Sequence, residues 1–138
     1  EGPKVPVEGI DDPRGIAFAD IDNDGDVDFA IGAKRSRNWL IQNNFNKGNW
    51  LKVRLISPQG QAGAFGAKTF ILKNDKIISY RESRSNNGYL GQDDPVLHFG
   101  LGDRTTVDVK VVFLNGMSII KKNVKSNQTI IIDGSKRK

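Results

Sequence analysis

The chain has 138 residues, 37% of them hydrophobic and 27% charged, with no cysteine, one histidine and a formal net charge of +5. That length suits one ordinary domain, or one domain plus a fragment of another. Disulfides, thiolate metal sites and cysteine nucleophiles are excluded, and no apolar run approaches the ~18 residues that a spanning helix needs. The charge is unevenly placed: residues 1–29 carry nine acidic and two basic side chains, whereas residues 30–138 carry seven and nineteen. The first part is suited to holding a cation, and the second to an anionic partner or a solvated surface.

Residues 1–13 read as a leader rich in proline and charge, without a signal-peptide core. Gly15 to Ile21 and Val27 to Ile31 are strand candidates, joined by the run Asp20-Ile21-Asp22-Asn23-Asp24-Gly25-Asp26-Val27-Asp28. Arg37 to Gln42 is a third strand candidate. The polar stretch Asn43 to Asn49 is the best boundary, dividing residues 14–48 from residues 49–134, with a basic tail over 135–138. After it, Leu51, Val53 and Leu55 alternate with Lys52 and Arg54, the period of a sheet with one buried face. Ala67 to Lys73 and Ile77 to Arg81 flank an Asn74-Asp75 turn. Leu97 to Leu101, Val107 to Phe113, Met117 to Lys121 and Thr129 to Ile132 complete the series, with Asn115-Gly116 a strong hairpin signal. Seven short strands and no amphipathic helix imply an all-β fold, a sandwich or an open barrel.

The aspartate run carries the most specific chemistry. Five carboxylates within nine residues repel one another unless a hard cation offsets their charge, and oxygens at every second position around a glycine suit calcium. Asp20, Asp22, Asp24 and Asp28 are the side-chain ligands expected, with Asp26 supplying its backbone carbonyl. Position twelve of the loop is Ile31 rather than a bidentate glutamate, and the flanks are strand-like, so the loop differs from an EF-hand. Magnesium, which prefers a smaller hydrated octahedral site, fits less well.

No other pattern points to catalysis. His98 sits in the apolar run Val96 to Phe99 as a strand residue, and no motif pairs it with a serine. Gly60 to Gly66 lacks the spacing and the lysine ending of a phosphate loop. Lys34, Arg35 and Arg37 form one basic cluster and Arg81 and Arg84 another, both candidate contacts for a polyanion. Tyr80 and Tyr89 lie nearby in sequence, but no signature of a specific nucleic-acid module accompanies them.

Phe18-Ala19-Asp20 through Ile31-Gly32 resembles an FG-GAP or VCBS repeat, the unit of integrin-like β-propellers. From Asn49-Trp50-Leu51-Lys52-Val53-Arg54-Leu55 onward the chain resembles the ASPIC/UnbV domain. Its landmarks are Gly63 to Lys68, Gly88 to Gln92, Leu97-His98-Phe99-Gly100-Leu101-Gly102 and Phe113-Leu114-Asn115-Gly116. The resemblance implies a partial propeller-like calcium-loop repeat before a β-domain, with no reaction attached to either. It implies a non-catalytic, calcium-stabilised module that contacts an extracellular protein or glycan, secreted, at the cell surface or periplasmic in bacteria. The alternative is an accessory domain of a larger secreted enzyme.

Overall fold

The computed structural model describes residues 9–45, 48–86, 88–89 and 91–136, and all of its regular structure is β. The first eight residues of the expected leader, Asn46 and Lys47 of the boundary stretch, and Arg137 and Lys138 of the basic tail lie outside the described residues. Ten strands follow one another among the described residues: β1 Pro13–Ala19, β2 Asp28–Ala33, β3 Trp39–Ile41, β4 Asn49–Ile56, β5 Lys68–Lys73, β6 Lys76–Glu82, β7 Leu97–Gly102, β8 Thr106–Val112, β9 Ser118–Lys125 and β10 Gln128–Asp133. Each overlaps one of the ten segments expected from periodicity. The first expected strand runs two residues too far, because the chain leaves the ladder after Ala19 to enter the aspartate loop.

The strands form three sheets. β1, β2 and β3 make an antiparallel meander, with Phe18 opposite Phe29 and Ile31 opposite Trp39. The second sheet has the order β10-β4-β7 and the third the order β6-β5-β8-β9. These last two sheets share one hydrophobic cluster, supplied by Leu51, Val53 and Leu55 of β4, Phe99 and Leu101 of β7, Ile71 of β5, Val107, Val109 and Val111 of β8, and Ile132 of β10. Alternation with period two puts these side chains on the inner faces, as two apposed sheets require. The arrangement is sandwich-like, and the ladders do not close into a barrel among the described residues.

Local turn chemistry fixes the registers. Asn74 and Asp75 both adopt left-handed backbone, with φ of 51° and 60°, and reverse the chain between β5 and β6. The Asn115-Gly116 turn joins β8 to β9, the Gly116 amide donating to the Phe113 carbonyl at 2.9 Å. β10 pairs with β4 in parallel, Gln128 opposite Leu51 and Asp133 opposite Ile56. A parallel partner cannot arrive by a hairpin from β4, and β10 instead follows β9, an edge strand of the other sheet, across Ser126 and Asn127.

Candidate metal loop and its seat on the sandwich

The loop between β1 and β2 is folded by its own backbone amides. Asp28 is buried, and its two carboxylate oxygens accept from the Ile21 amide at 2.7 Å and the Asn43 amide at 2.8 Å. Asp22 accepts from the Asp24 amide at 3.1 Å and from the Gln42 side chain, and Asp24 accepts from the Asp26 amide at 3.0 Å. Asp20 accepts from the Gly25 amide at 3.1 Å. Asn23 and Gly25 reach positive φ, 63° and 101°, which closes the reversal.

These bonds turn carboxylates inward. Asp20, Asp22 and Asp28 each present an oxygen within 4.8 Å of the others. Asp24 and Asp26, the other two expected ligand positions, fall outside that group. Hydrogen bonds, chiefly from the Asp24 amide, hold the exposed Asp22 carboxyl below its ordinary range. Asp26 shifts upward because burial penalises its charge and Asp24 repels it, with the Phe45 amide opposing part of this. Oδ1 of Asp20 is buried without a hydrogen-bond partner among the described residues. An orphaned buried carboxylate oxygen is costly in isolation and is what a hard cation would satisfy. The donor set therefore fits a divalent cation. Asp20 and Asp22 would hold it, with Asp28 anchoring the loop, and the ion would supply charge compensation.

The loop is seated on the outer face of the sandwich by three residues of β4 and β7. Lys52 places its Nζ 2.5 Å from Asp20 Oδ2 and 3.1 Å from Asn23 Oδ1. His98, opposite Lys52 in the ladder, has Nε2 2.8 Å from the Gly25 carbonyl, so that nitrogen donates. Burial pushes the His98 pKa down, with the Gly25 carbonyl opposing. Trp50 stacks on His98 at 6.3 Å and covers Gly25 so closely that an added Cβ would lie 1.9 Å from its Nε1. β1 is tied to the same side, the Phe18 amide donating to Asp93 at 2.9 Å and the Phe18 carbonyl accepting from Asp94 at 3.1 Å.

The alternation of β4 reads Lys52 as solvent-facing, yet it is only 7% exposed. The loop sequence shows no partner thirty residues away, and the sole hint is the general need of five carboxylates for positive charge. The basic residues separate into two places. Lys34, Arg35 and Arg37 are exposed between β2 and β3, Arg37 lying over the Trp39 ring at 5.1 Å. Arg81 and Arg84 line a cleft of about 660 Å³ between the first sheet and the sandwich, with Phe18, Tyr80 and Pro95. No described cleft gathers both clusters. Among the described residues, no helix is long and apolar enough to cross a membrane.

The ASPIC and UnbV family matches residues 57–138. Cartilage acidic protein 1 of Homo sapiens is 31% identical over 121 residues, covering 83% of this chain and 18% of the human protein. The Mus musculus protein is 29% identical over 120 residues, with the same coverage, and the Xenopus tropicalis protein 27% over 125 residues, covering 86% and 19%. The chain thus spans less than a fifth of the length of these relatives.

Proposed function

This chain belongs to the ASPIC and UnbV family, a non-catalytic family, and from that premise we propose that it is a calcium-stabilised, non-enzymatic module for extracellular protein or glycan contact. The observation that carries the calcium reading is the inward-facing group of Asp20, Asp22 and Asp28, with the buried Asp20 Oδ1 left unpartnered. Calcium would hold the loop in the form that rests on Trp50, Lys52 and His98, and so fix the first sheet against the sandwich. On this reading β1–β3 are the end of an FG-GAP or VCBS propeller-like repeat, residues 14–48, and residues 49–134 are the ASPIC/UnbV domain. The relatives, named for cartilage, support a secreted setting. Arg81 and Arg84, beside Tyr80 in the cleft, are the contacts offered to an acidic group of the partner.

Calorimetric titration with calcium and thermal unfolding with and without it test the reading. Wild type is expected to bind saturably and to unfold at higher temperature when loaded. Asp22→Asn, an exposed change away from Lys52, should weaken binding on the order of tenfold by removing one ligand charge. Absence of both responses in wild type would overturn the calcium reading.

A further inference from the structure

We propose that Lys52 is a tethered counter-ion that sets how tightly the aspartate loop holds a divalent cation and keeps the loop seated when no ion is bound. The proposal rests on the calcium reading above. A lysine on the outer face of a strand ordinarily extends its ammonium into water. Lys52 instead buries it, with its side chain 8% exposed and that of Asp20 2% exposed. A buried ammonium persists only where it is paired and hydrogen-bonded, and here Asp20 Oδ2, Asn23 Oδ1 and the Trp50 ring at 5.3 Å surround it.

The Asp20 carboxylate therefore has two different ends. Oδ2 is committed to the ammonium and the Gly25 amide, while Oδ1 is buried and open. A divalent ion taken by Oδ1 would share its carboxylate with a fixed positive charge. Repulsion between the two cations weakens binding, whereas the lysine's hold on Asp20 favours it by ordering the side chain in advance. Aspartate has few torsions to order, so over so short a separation the repulsion is the larger effect. Lys52 thus lowers the affinity of the loop and, in exchange, leaves a folded metal-free state. Trp50 and His98 grip Gly25 independently, so the loop keeps two of its three anchors when Lys52 is changed.

The experiment compares wild type with Lys52→Met and Lys52→Gln, by calcium calorimetry and by thermal unfolding of metal-free and loaded protein. Lys52→Gln retains an amide donor toward Asp20 and Asn23 without the charge. Its calcium Kd is expected to fall about tenfold, its metal-free Tm to drop, and its calcium-induced rise in Tm to exceed that of wild type. A merely structural lysine would leave the Kd unchanged or raised, with equal losses of Tm in both states, and that result overturns the proposal while sparing the calcium reading. If wild type gives no calcium response and Lys52→Gln gives none either, both readings fail together. Should Lys52→Met not fold, the Lys52 side-chain NMR resonances of wild type serve instead. They must shift on saturation with calcium, and their invariance overturns the proposal.

Discussion

The two halves of the molecule are held by different physics. Every residue of the buried hydrophobic cluster lies between Leu51 and Ile132, on β4–β10 and their connections. In residues 9–45 only Gly25 and Asp28 are buried, one without a side chain and one a carboxylate. Ile16, Phe18, Leu40 and Phe45 of that region are exposed. The sandwich is thus ordered by removal of apolar surface from water, and the first sheet by its ladder, by amide–carboxylate bonds and by its seat on β4 and β7. Salt, pH and divalent ions act on the second set of forces far more than on the first.

The contrast breaks most visibly at Phe99, which is 1% exposed. Phe99→Ala should cost about 3–5 kcal/mol in urea denaturation through lost burial and an unfilled cavity. The loop should unfold with the sandwich, because its seat is on β7. Leu40→Ala, at a position 64% exposed on β3, should by contrast stay within about 0.5 kcal/mol.

A change confined to the seat should separate the halves. Gly25→Ala places a Cβ against Trp50 at a φ of 101°, where residues with side chains are strained. The expected loss is about 1–3 kcal/mol, and it should be local. Hydrogen exchange should quicken for the amides of Ile21, Asp24 and Gly25 while those of Val109 and Val111 keep their protection. Equal loss of protection in both sets would show that loop and sandwich unfold as one unit.

The smallest effect expected is that of pH. Burial holds the His98 pKa below its unfolded value, so between the two the unfolded chain binds more protons than the folded one. Stability should therefore decline as pH falls below about 7, through the folded pKa, and level off beneath it. Melting temperature followed from pH 8 to 5 checks this, and His98→Gln should flatten that part of the profile.

Strand positions were legible because a half-buried strand writes its period directly into side-chain polarity, as Val107, Val109 and Val111 do. Turn chemistry was legible at Asn74-Asp75 and Asn115-Gly116, where local backbone strain restricts residue type. The aspartate loop was legible as a concentration of like charge. Which carboxylates turn inward was less so, since Asp24 and Asp26 satisfy the same spacing rule as Asp20 and Asp22, and only the folded backbone groups Asp20 and Asp22 with Asp28. Lys52 was illegible: alternation marks a position as facing away from one core, and cannot say that another element covers it. The parallel β4–β10 pair was equally hidden, because no local pattern encodes a partner so distant in sequence.

That pair has a kinetic consequence. The Asn127 amide donates to the Trp50 carbonyl at 2.7 Å, and the Asn127 side chain accepts from the Trp50 amide, a contact spanning 77 residues. Trp50 and Lys52 are therefore locked in register by a segment that leaves the ribosome several seconds later, at roughly 5–20 residues per second. Until that segment arrives, β4 is an open edge and the aspartate loop lacks its finished platform. The aspartate loop is made before that segment yet settles after it, and nascent chains truncated before Gln128 should leave the loop exposed to proteases.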